Sequence, residues 1–131
     1  MIKQRGVTLI GAIFVLIIVS LLAQYLVTIA GVQRKTSLLA LQTARAYQVA
    51  NASLEWGSFY VINNSVCPAS SPTSFSRIPG FTTTLTCSHL GNYDEDGTLR
   101  NVFLLNAHSQ HGNYGSTNYV SRTLEVVVHA P

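Results

Sequence analysis

Hydrophobic positions along this chain fall into three regimes. From Val7 to Val32 they are nearly continuous (VTLIGAIFVLIIVSLLAQYLVTIAGV), with Thr8, Ser20, Gln24 and Thr28 as the only polar members. About 20 apolar residues in a helix cross a bilayer core of ~30 Å, so this run is long enough to span a membrane with some tilt. From residue 38 to 61 the apolar positions recur at helical spacing instead. On a wheel of about 100° per residue, Leu39, Thr43, Ala46, Ala50, Leu54, Trp56 and Gly57 share one side, while Arg45, Gln48, Asn51 and Glu55 share the other. The pattern predicts an amphipathic helix that ends near Gly57 or Ser58, with a small-residue stripe packed on a sheet. The first proline is Pro68, so nothing forces a break between the two regimes. One helix from Val7 to Gly57 would be about 75 Å long, with Gly11 and Gly31 as its soft points.

The third regime is β-like. Phe59–Ile62 is expected to leave the helix, and Val66–Gly80, rich in Pro and Ser, reads as a loop. Phe81–Cys87 alternates, which puts Phe81, Thr83, Leu85 and Cys87 on one face of a strand. Asp96-Gly97 is a hairpin signal leading to a second strand over roughly Thr98–Ser109. A loop at Gln110–Asn118 then precedes a strand over Tyr119–Ala130, where Val120, Arg122, Leu124 and Val126 alternate with Ser121, Thr123 and Glu125. The expected fold class is α+β: a long N-terminal helix packed on an antiparallel sheet of three or four strands. A sheet that small needs such a partner.

Composition narrows the function. The chain has 131 residues, 47% hydrophobic and 10% charged, with a mean hydropathy of +0.28. A soluble domain carries roughly 25% charged residues, and no charge stands between Arg5 and Arg34. The rest of the chain, beyond the apolar run, suffices for one small domain, which excludes a large two-domain enzyme. The net charge is +3, but Lys3 and Arg5 supply two of those charges and the other basic residues are scattered. No nucleic-acid partner is expected, because such a surface needs clustered Lys and Arg.

Three readings of the apolar run compete: a secretory signal peptide, a plain membrane anchor, or the leader and helix of a filament subunit. A signal peptide has an apolar core of about 7–15 residues before its cut, and this run is longer. A plain anchor leaves the front edge unexplained. There, Lys3-Gln4-Arg5-Gly6-Val7-Thr8-Leu9-Ile10 sets a basic stub and a glycine directly against the apolar helix. The arrangement resembles the class III leader of type IV pilins and type II secretion pseudopilins, which a prepilin peptidase cuts after the glycine. Arg5, Gly6, Thr8, Leu9 and Ile10 match the family pattern, and Val7 stands where Phe is usual. Thr43–Gly57 (TARAYQVANASLEWG) is also similar to minor pilins of the MshP and PilX type, the former from MSHA pilus systems.

The resemblance implies a division into a leader at 1–6, a transmembrane and assembly helix at 7–33, its amphipathic continuation at 34–58, and a β head at 59–131. It implies cleavage between Gly6 and Val7, N-methylation of Val7, and a single-pass stage in the inner membrane, N-terminus cytoplasmic and head periplasmic, before incorporation into a pilus at the cell surface. Implied partners are the peptidase, membrane lipid before assembly, and other minor and major pilins. The chief departure is Gly11, where the family carries a glutamate that pairs with a neighbour's N-terminal amine. A buried charge is tolerated only when paired, so a subunit lacking it suits a place without a predecessor, at or near the filament tip. The other reading of Gly11 is a small residue at a helix-packing surface.

With the head in an oxidising compartment, Cys67 and Cys87 are expected to form one disulfide. Their spacing fits neither a Cys-x-x-Cys redox pair nor a zinc pattern. His89, His108, His111 and His129 lack neighbouring ligands at recognisable spacing, and Asp94-Glu95-Asp96-Gly97 lacks the distal oxygens of a calcium loop. No nucleophile, phosphate-binding or paired-carboxylate motif is present, so the expectation is a non-enzyme without cofactor or metal. A second function class stays open: an adhesin whose Ser-, Asn- and Tyr-rich loop at 110–119 contacts a ligand.

Overall fold

The computed structural model describes residues 5–72, 74–75 and 77–131, with side chains from Thr8 onward. Its elements are α1 (Arg5–Asn64), β1 (Thr82–Glu95), β2 (Thr98–His111) and β3 (Val120–Ala130). The fold is α+β, as the pattern predicts, and the sheet is antiparallel with order β1-β2-β3. Contacts divide the chain into two units, Met1–Leu38 and Leu39–Pro131.

The first unit is helix throughout its described length, and its large apolar side chains are exposed, Leu16 at 68% and Ile10 at 71%. Three of its hydroxyls turn back on their own backbone: Ser20 Oγ donates to the Ile17 carbonyl at 2.8 Å, and Thr28 Oγ1 and Thr36 Oγ1 donate to the Gln24 and Val32 carbonyls at 3.0 Å. Such bonds satisfy a polar group without help from water, which suits a helix in an apolar medium.

In the second unit, α1 lays a stripe of mostly small residues under the sheet. Ala46, Val49, Ala50, Ser53, Leu54, Gly57 and Val61 are buried, each three or four positions from a neighbour on that face. Above them stand the inward residues of the strands. Ala50, Leu54 and Val61 share one core cluster with Phe103, Leu105, Ala107, Val128 and Ala130. Ala46 and Val49 share another with Phe81 and Val120. Thr83 and Ser109 face each other across β1 and β2 on this buried side. Their hydroxyls and that of Ser53 have no hydrogen-bond partner among the described residues, at a cost of about 1–3 kcal/mol each where none forms.

Three sequence expectations need correction. The helix does not stop at Gly57 or Ser58, and residues 59–64 belong to it rather than to the head's irregular start. Gly57 is small for packing: a Cβ there would stand 2.7 Å from Leu85 Cδ2. The true end is marked by polar residues. Asn63 and Asn64 donate to the carbonyls of Phe59 and Tyr60, and Ser65 takes a left-handed φ of 53° with its N–H on the Val61 carbonyl at 2.8 Å. The first strand, expected to end at Cys87, continues to Glu95 through a register shift between His89 and Gly91. The shift is a bulge, and the alternation of inward residues that marks a strand is lost at that point. The second strand runs two residues past its expected end, to His111, whose ring packs on Phe81 with centroids 4.8 Å apart.

Candidate functional site

The residues at the expected cleavage point lie at the front of α1. Met1–Gln4 fall outside the described residues, as do the side chains at positions 5–7, although the helix backbone runs through Gly6 and Val7. Gly11 is exposed, and a Cβ placed on it would meet nothing within 4 Å. Among the described residues no close approach therefore demands glycine at that position. Within α1 the stretch from Thr8 is long and apolar enough to cross a membrane, which makes it a candidate membrane span or signal. Exposed apolar surface on this scale marks a membrane or protein interaction site.

The head is stapled where the sequence places its two cysteines. Cys67 and Cys87 form a disulfide that ties the segment after α1 to the inner face of β1, and both pack against the larger core cluster. Closing a loop of this length stabilises by about 3 kcal/mol in the chain-entropy account.

The structure does not gather the candidate polar residues into one site. Asp94, Glu95 and Asp96 sit at the β1–β2 hairpin, where Gly97 N–H donates to Asp94 Oδ1 at 2.7 Å and Arg100 pairs with Glu95 at 3.3 Å. The four histidines go to four places. His89 packs on Phe103, His108 Nδ1 shares a 2.8 Å hydrogen bond with Thr123 Oγ1, and His111 Nδ1 donates to the Gly80 carbonyl at 2.6 Å. His129 Nδ1 and the Tyr93 hydroxyl lie 3.1 Å apart, a pairing between β3 and β1 that no sequence spacing signals. Among the described residues no group of three His, Cys, Asp or Glu side chains is placed to hold a metal ion.

The loop between β2 and β3 is ordered by its own polar groups. Ser116 Oγ stands 2.6 Å from the Asn113 carbonyl and 2.8 Å from Asn118 Oδ1, while Ser116 and Tyr119 N–H groups bond back to Asn113 and Ser116. Gly112 has φ +76°, and a Cβ there would press on Asn118 at 3.3 Å. Tyr114, edge-on to Tyr119, is left 91% exposed. Compared with models of protein families, with characterised proteins and with solved structures, the chain matches none.

Proposed function

We propose that the chain is a minor type IV pilin, or a pseudopilin-like subunit, that takes part in pilus assembly or its initiation near the filament tip. One observation carries the reading: a single helical element opens at Arg5-Gly6, supplies an exposed apolar stretch, and then forms the buried spine of an antiparallel head. A signal peptide is removed from the domain it exports, whereas here residues of the same element are core residues of the head. Cleavage after Gly6 would leave the apolar helix on the mature protein, first among inner-membrane lipids and then among partner pilin helices. The self-bonded hydroxyls of Ser20 and Thr28 suit both surroundings. The disulfide supports a head on the oxidising side of the membrane. Gly11 stands where the family carries its glutamate, and that departure favours a place without a predecessor.

The test is the intact mass of the membrane-extracted chain expressed with and without a prepilin peptidase. The expected result is loss of Met1–Gly6 and gain of one methyl group only with the peptidase, and no loss in Gly6→Ala. An uncut chain would instead indicate a simple membrane anchor, and a cut near Ala30 a secreted domain. Tyr114, held out on an ordered loop, favours one further reading, a tip subunit whose loop at 110–119 contacts a ligand.

A further inference from the structure

The two edges of the sheet are built differently. The β1 edge is interrupted: its register slips between His89 and Gly91, and Cys87 is tied to Cys67. The β3 edge is regular, with Val120 to Ala130 pairing residue by residue with β2 and no shift. Among the described residues no backbone bond links β3 to anything but β2. Sheets usually protect such an edge with proline, a bulge or charged side chains. β3 has no proline, lysine or bulge, and Arg122 and Glu125 are its only charges, so a strand that docks here must supply a partner for Arg122.

Beside this edge, α1 leaves a strip uncovered. Ala40, Ala44 and Tyr47 are exposed and fall at helical spacing on one face, next to the stripe that the sheet buries. A groove of about 680 Å³ runs between that strip and Arg122–Leu124 of β3. A strand added about 4.8 Å beyond β3 would extend the sheet over this strip, where alanine methyls permit close approach. Arg122 belongs to the inward set of β3 with Val120, Leu124 and Val126, yet has no carboxylate within ion-pair distance among the described residues.

We propose that the β3 edge is a docking site for an extended segment of a partner polypeptide. The segment adds as a fourth strand, turning small or apolar side chains toward Ala40 and Ala44 and an acidic side chain toward Arg122. A second copy paired through its own β3 does not fit, because the only acid on that strand, Glu125, faces the opposite side from Arg122. The inference stands on the head alone and does not depend on the filament reading.

The probe is a capped heptapeptide in which Thr alternates with Val, Glu and Val, added to the full chain in detergent and followed by amide hydrogen exchange. Slowed exchange at alternating positions of 120–130 is expected. Binding should weaken about tenfold or more when the peptide carries Lys for Glu, with the preference reversed in Arg122→Glu. Ala44→Trp, which fills the groove from an exposed position, should abolish binding. Unchanged β3 exchange would overturn the proposal, as would protection of β1 instead or binding that survives Ala44→Trp. Protection that needs no peptide and grows with protein concentration would overturn it in favour of a second copy.

Discussion

Two stretches of one helix treat apolar side chains in opposite ways. Between Thr8 and Leu38, α1 carries Leu, Ile, Val and Phe in bulk, and its large side chains stay exposed. Between Ala46 and Val61 it carries mainly Ala, Val, Ser and Gly at the positions that are buried. Apolarity and burial within the chain are thus separate properties. Large side chains serve where the covering comes from outside, as lipid or partner helices in the proposed function. Small ones serve where a sheet of the same chain must approach the helix backbone.

The sharpest way to break the comparison is to cut a large side chain from the buried half. Leu105 is fully buried in the larger core cluster, over the small-residue stripe. Leu105→Ala should lower head stability by about 2–5 kcal/mol, as lost transfer energy and a residual cavity add. Thermal unfolding of the full chain in detergent, followed by near-ultraviolet circular dichroism, would read this. A loss below about 1 kcal/mol would mean that the sheet is not packed on the helix as described.

Next in size is the reverse change, a large side chain added to the small stripe. At Gly57 a Cβ would come within 2.7 Å of Leu85 Cδ2 and about as near to Leu105 as ordinary contact allows, at 3.5 Å. The first neighbour is the far end of a half-buried leucine, so Gly57→Ala leaves Leu85 room to turn away. Gly57→Val does not, and overpacking of this kind costs about 1–3 kcal/mol. A Val variant more stable than the Ala variant in the same melt would show that Gly57 ends a turn rather than admits the sheet.

The fold is most legible in the sequence where one periodicity holds. The alternation that places Thr83, Leu85 and Cys87 on one face of β1 matches their inward positions, and Asp96-Gly97 does join β1 to β2. Legibility stops where two causes share one residue type. Glycine serves both helix ends and close packing, so Gly57 suggests the first and performs the second, while Asn63-Asn64-Ser65 carries the true signal. Val49 and Ser53, absent from the expected stripe, lie on the same side of the wheel as Ala46 and are buried, while Trp56, expected on it, is only half-buried. Pairings such as Tyr93 with His129 depend on the bulge at Leu90 and on strand order, neither of which leaves a local mark. For the front of α1 the position is reversed. Gly6, Val7 and Gly11 stand out in the sequence, but in the proposed function what would make them matter is a peptidase and a neighbouring subunit.

The smallest expected effect is the most informative about the other half. Leu16 is the same residue type as Leu105, in the same protein, at 68% exposure against 0%. Leu16→Ala removes the same atoms but leaves no cavity within the chain, because no neighbouring core closes over them. Head stability in detergent should therefore stay within about 0.5 kcal/mol of the parent, the range of substitutions away from packed features. The cost, where there is one, would fall on membrane retention or on packing with partner helices, in proportion to the apolar area removed. If Leu16→Ala instead lowered the melting temperature as much as Leu105→Ala, the apolar stretch would be part of a core made by the chain itself. The contrast between the two halves of the helix would then be lost, and with it the main support for a membrane and filament role.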